Sequence, residues 1–251
     1  TGIDLDNGTV SATGTGTIQL LGRGGNGATA QHGILLRGGA TLSTNGQNLT
    51  LSGASLDPAS SGLSIGLATL GVGGGTIDLS GDGGDVSISA TDSAAVIGGT
   101  GDTLLLNSLS GDVEMLARLV GSRLQLRDLG NMENVSFSLT NTDNDVDRIN
   151  SYSNGTNGRI ASVDFRDVDG FEVTDFLGSS GISAIGGVSL VGALYGSESI
   201  LVNRPVSSVN GNVVIKGRDV VVDGTDITTG GNGLLTMQAG RAILVHSDSL
   251  L

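Results

Sequence analysis

The strongest constraint on this chain is a short phrase that returns along its length. A glycine and a small or polar residue lead into a strand-like run of alternating character that closes on a small residue. It occurs as Gly84-Asp85-Val86-Ser87-Ile88-Ser89-Ala90, Gly111-Asp112-Val113-Glu114-Met115-Leu116-Ala117 and Gly186-Gly187-Val188-Ser189-Leu190-Val191-Gly192. It recurs as Gly211-Asn212-Val213-Val214-Ile215-Lys216-Gly217 and, more loosely, as Gly233-Leu234-Leu235-Thr236-Met237-Gln238-Ala239. The spacing is about 22–27 residues, and self-similarity at such a period marks a repeat architecture.

The contents of one period limit what it can be. Each holds two or three short runs of β-favouring residues separated by Gly, Asn, Asp and Ser, with no room for a helix. A lone unit cannot bury its apolar face, so successive units must stack, each touching only its neighbours. Strands stacked this way run parallel, and parallel crossovers are right-handed. The predicted fold is therefore an all-β, right-handed parallel β-helix of roughly ten or eleven coils, one continuous segment over residues 1–251. A propeller needs longer periods, roughly 40–45 residues, and leucine-rich repeats need a Leu-Asn ladder that this chain lacks.

Composition removes the competitors. The 251 residues include Gly 44, Pro 2, Cys 0 and Trp 0, with 2% aromatic residues. Collagen is excluded by the missing Gly-X-Y register. Disorder is opposed by clustered β-formers such as Val213-Val214-Ile215, Val220-Val221-Val222 and Leu104-Leu105-Leu106. Scarce aromatics suit a narrow interior of stacked aliphatic side chains. Glu114 to Arg127 could pass for an amphipathic helix, but Gly121 and the repeat phrase predict strands. Ser55 to Gly62, holding Pro58, is predicted to be a protruding loop because proline cannot donate to a ladder. The glycines of Gly24-Gly25-Asn26-Gly27 and Asn45-Gly46 are expected to supply positive φ at corners.

The formal net charge is −13 and the sequence pI is about 4.2, a balance that repels a phosphate backbone and argues against nucleic-acid binding. No apolar stretch reaches the roughly 20 residues of a membrane-spanning helix. The chain opens at Thr1 and closes on Leu250-Leu251 in strand-like sequence, which suggests a segment of a longer repetitive protein.

The most specific stretch runs through residues 139–203. It contains Asn144-Asp145-Val146-Asp147-Arg148-Ile149, then Asn157-Gly158-Arg159-Ile160, then Asp167-Val168-Asp169-Gly170-Phe171-Glu172-Val173, then Gly181-Ile182-Ser183 and Gly186-Gly187-Val188-Ser189-Leu190. This succession resembles the repeats of filamentous-haemagglutinin-like exoproteins exported by two-partner secretion, and the likeness covers roughly residues 84–245. The resemblance implies a β-helical shaft of a secreted adhesin at the outer surface of a Gram-negative-type bacterium. It implies no catalysis and no cofactor, a protein or glycan receptor outside the cell, and self-association into a fibre. The secretion domain of that family, with its Asn-Pro-containing motifs, is not found in these residues.

Asn141-Thr142-Asp143 and Gln31-His32-Gly33 look like two pieces of a polygalacturonase site, but in reverse order, without the Asp-Asp pair or the Arg-x-Lys, and with few aromatic rings to hold a sugar. Asp143, Asp145, Asp147, Asp164, Asp167, Asp169 and Asp175 form the densest acidic region, and alternating acids on one strand face could take Ca²⁺ through oxygen ligands, as in a Ca²⁺-stabilised matrix protein. Gly98-Gly99-Thr100-Gly101-Asp102 nears a calcium-binding nonapeptide repeat but lacks a residue before the aspartate and is not in tandem. His32 and His246 have no zinc-ligand spacing. Gly71-Val72-Gly73-Gly74-Gly75 lacks the lysine and helix of a phosphate cradle. Sequons fall at Asn7, Asn48, Asn134 and Asn154. No residue is assigned a catalytic, cofactor-binding or metal-binding role from sequence.

Overall fold

The structure, a computed structural model, describes residues 1–27, 30–130, 134–154, 159–246 and 248–251; the Asn157-Gly158 phrase lies outside them. The described residues are strands and turns with no helix, coiled into a parallel β-solenoid.

Two long sides of the coil are continuous from end to end. On the first, Ile3, Ile34, Leu63, Ile88, Val113, Phe137, Val163, Val188, Val213 and Leu235 lie one above another in parallel register. On the second, the file is Ile18, Leu49, Ile77, Leu104, Leu124, Ile149, Val173, Val202, Val222 and Val245. Every interior position in these files is apolar because a strand side chain recurs inward with period two. The inner members are almost wholly buried, each contributing about 1.5–3 kcal/mol of transfer free energy. The end members Ile3 and Leu235 are only partly covered.

The solenoid makes about 8 turns, slightly fewer than ten or eleven. The early coils use more residues per turn than the expected period, Ile3 lying over Ile34 and Ile34 over Leu63. Strands replace the helix-like pattern of Glu114 to Arg127, in Thr103–Met115, Arg118–Gly121 and Arg123–Asp128. The Pro58 loop lies between Leu49–Ala54 and Leu63–Ile65, tied by Ser60 Oγ donating to Asp57 Oδ2 at 2.8 Å.

The corner glycines correct one expectation. Gly46 has φ +71, but Gly24, Gly25 and Gly27 are not among the positive-φ residues. At Gly24 the requirement is space: a Cβ would sit 1.8 Å from the Gln31 carbonyl oxygen. The same holds for Gly53, where it would sit 2.1 Å from the Gly62 carbonyl oxygen. These glycines let the chain pass itself closely as it enters the next coil.

A third, short side completes each coil, and its position changes along the molecule. In the first six coils it lies between the first and second long sides, as Thr9–Ser11, Ala40–Ser43, Ala68–Gly71, Val96–Gly98, Arg118–Gly121 and Asp145–Val146. There, strands such as Thr76–Ala90 and Thr103–Met115 run unbroken from the second long side into the next coil's first. Beyond this the short side lies after the second long side, as Ile182–Ala184, Val206–Ser208 and Ile227–Thr229. Val213–Val222 and Leu235–Val245 then join the two long sides directly. The cross-section is rebuilt between residues 139 and 185, the stretch that is most distinctive in the sequence.

Candidate functional site

The rebuilt zone carries most of the unusual chemistry. The old short side stacks Val10, Leu42, Leu70, Ile97 and Leu119, and the next residue in that file is Asn144. Asn144 is fully buried. Its Oδ1 accepts the Leu119 N–H at 2.8 Å, and its Nδ2 donates to the Arg166 carbonyl at 2.9 Å and to Leu139 at 3.4 Å. The side chain replaces the ladder bonds that end with the short side, as buried backbone groups require.

Asp167 does the same one coil later. It is 4% exposed, and its carboxyl accepts the Val146 N–H at 3.0 Å and the Asp169 N–H at 3.2 Å. Burial, with the neighbouring Asp169 carboxyl adding to it, pushes Asp167 up to about 8. Phe165 and Phe171 meet edge to face beside it, ring centroids 5.0 Å apart, filling space where the interior changes shape.

The acidic residues are not gathered into one site. Asp145 pairs with Arg118 at 3.4 Å, Asp175 with Arg204 at 2.9 Å, and Arg148 with Glu172 at 3.3 Å. Asp143 is exposed, and its backbone carbonyl accepts Arg118 Nε at 2.7 Å. Asp164 lies on the outward row of the first long side, in register with Ser138 and Ser189. Asp147 joins Glu198, Glu172, Arg148, Arg123 and Phe171 around a surface groove of about 530 Å³. Glu198 is held above its ordinary range chiefly by Asp169, with desolvation, Asp147 and Asp145 contributing. Among the described residues, no three Asp, Glu or His side chains are grouped to hold a metal ion. Adding a chelator to the purified chain is therefore expected to leave its melting temperature unchanged; a drop reversed by Ca²⁺ would refute this.

The other candidates resolve into structural roles. Asp102 is fully buried, and its carboxylate accepts the N–H groups of Val72 at 3.2 Å and Gly74 at 2.5 Å. It braces the glycine corner of the coil before it. His32 Nδ1 lies 3.3 Å from the Ser61 carbonyl oxygen, and His246 lies 2.8 Å from Asp223. His32 and Asp143 lie four coils apart, roughly 19 Å at the strand spacing, so they cannot flank one glycosidic bond. Asn154 donates its side-chain amide to the Leu129 and Gly130 carbonyls and so is engaged in the coil, whereas Asn7, Asn48 and Asn134 are exposed.

Sequence reasoning missed the buried amides. Gln125 and Asn150 lie in register on the outer row of the second long side, 2% and 0% exposed. They are covered by an antiparallel hairpin, Asp175–Phe176 with Ser179–Ser180. The available signal was Asn144 standing where the repeat puts an aliphatic residue. Replacing Asn144 with leucine is expected to destabilise the chain by about 1–3 kcal/mol by leaving buried backbone groups unpaired, read as a lower urea midpoint by circular dichroism. An unchanged midpoint would mean the amide is not bracing the switch.

Comparison with protein-family models, with curated proteins and with solved structures finds no match for this chain.

Proposed function

We propose that this chain is a non-catalytic structural shaft of a secreted, surface-exposed exoprotein that holds other parts away from the cell and takes part in adhesion. The observation that carries this reading is the pair of unbroken apolar files running through all the coils. Such a core gives length and stiffness in one direction and asks nothing of a ligand. The net charge of −13 suits a rod that must stay dispersed while its edge strands remain open. The resemblance of residues 84–245 to filamentous-haemagglutinin-like repeats supports the same role and a position outside the cell.

The test is immunolabelling of intact cells of the source organism with an antibody raised against this chain, alongside permeabilised cells. Labelling of intact cells, and reduced cell attachment when the antibody or the purified chain is added, is the expected result. Labelling only after permeabilisation, or release of reducing ends from polysaccharide by the purified chain, would overturn it.

A further inference from the structure

The hairpin at residues 175–180 has no place in a plain shaft: it breaks the parallel pattern and adds a wall to the outside of the coil. That wall is fixed from beneath. Gln125 Nε2 donates to Asn150 Oδ1 at 3.1 Å, and Asn150 Nδ2 donates to the carbonyls of Phe176 and Ser179, each at 3.1 Å. At its tip, Leu177 is held at φ +51 and is exposed, a backbone state that a leucine keeps only where its surroundings impose it.

Between this wall and the new short side lies a groove of about 670 Å³, within the range of small-molecule sites. Serine hydroxyls on the hairpin and on both adjoining strands line it, with Tyr152 on one side and Ile160, Ile185 and Val209 forming an apolar patch. No charged side chain is among its described lining residues. The Tyr152 ring is held by Arg127, whose guanidinium carbon lies 5.5 Å from the ring centroid.

We infer that this groove is a binding site for a neutral saccharide of one or two rings. A sugar presents a C–H face to apolar side chains and hydroxyls to donors and acceptors, the two surfaces this groove offers together. Among the described lining residues, sulfated or uronic sugars would meet no cation, and the chain carries a net charge of −13. Cationic ligands would meet no carboxylate among those residues. The inference does not depend on the shaft reading, since the groove is defined by its own walls.

The test uses the intact 251-residue chain and saturation-transfer NMR with neutral disaccharides of glucose, galactose and N-acetylglucosamine. A sulfated disaccharide and an apolar peptide serve as contrasts. Transfer to at least one neutral sugar, above both contrasts, is the expected result. Ser180→Trp, at an exposed position on the hairpin, should fill the groove and weaken binding about tenfold or more. Tyr152→Phe keeps the ring over Arg127 and removes only the hydroxyl, and should weaken it about three- to tenfold. Ser64→Trp, on the outer face of the third coil, should leave affinity unchanged. Binding of no neutral sugar, tighter binding of either contrast, or full affinity in both groove variants overturns the inference. A silent groove would leave the immunolabelling result untouched, and an intracellular location would leave sugar binding untouched.

Discussion

Replacing Phe165 with alanine is expected to destabilise the chain by about 3–5 kcal/mol. Phe165 is fully buried. It stands in register between Leu139 of the preceding coil and Leu190 of the following one and touches Phe171 edge to face. Truncation would open a void in contact with three coils at the point where the short side changes place, and neighbouring rungs held by their own ladders can collapse only partly into it. Urea unfolding followed by circular dichroism would show the loss as a lower midpoint. A loss under about 1 kcal/mol would mean the switch zone is loosely packed.

Raising the pH is expected to weaken the fold over an interval where most proteins are indifferent. Asp167 sits at about 8 when folded, against an ordinary value of 3.8. The folded chain thus holds a proton that the unfolded chain releases. The stabilisation is complete below about 3.8, fades as pH climbs, and is lost above about 8, a change on the order of a few kcal/mol. Asp128 and Glu198 are also raised and act in the same sense. Asp57, Asp175 and Asp219 are lowered by hydrogen bonds to their partners, so their contribution changes only at more acid pH. The melting temperature should fall between pH 5 and pH 9. Asp167→Asn, which carries no charge to expel, should flatten that fall and melt above the parent chain at the alkaline end. A melting temperature independent of pH in the parent would show that Asp167 is ionised without penalty.

Both predictions concern residues whose surroundings the sequence conceals. The coils themselves were legible, because an inward-facing aliphatic residue at every second position is a local pattern: Ile88 and Ala90 recur as Val113 and Met115, then as Val188 and Leu190. The change of side was not. Its short strands are two or three residues long, below the length at which periodicity tells in from out. Asp167 and Asn144 sit among many acids and amides that do face solvent, and what buries them lies about one turn away in sequence. Their partners Val146, Leu119 and Arg166 belong to other strands. The saccharide groove was hidden for the same reason, since its described walls come from four separate passages of chain.

The relocation of the short side also gives the early and late coils unlike cross-sections. At Ile3–Asp6 the chain turns a corner through Thr9–Ser11 before reaching the second long side, whereas in Leu235–Val245 the two long sides are joined directly. A rung of one half is therefore not interchangeable with a rung of the other: the strand Thr9–Ser11 has its like in Ala40–Ser43 and the rungs stacked on it, and none in Ile182–Ala184, Val206–Ser208 or Ile227–Thr229.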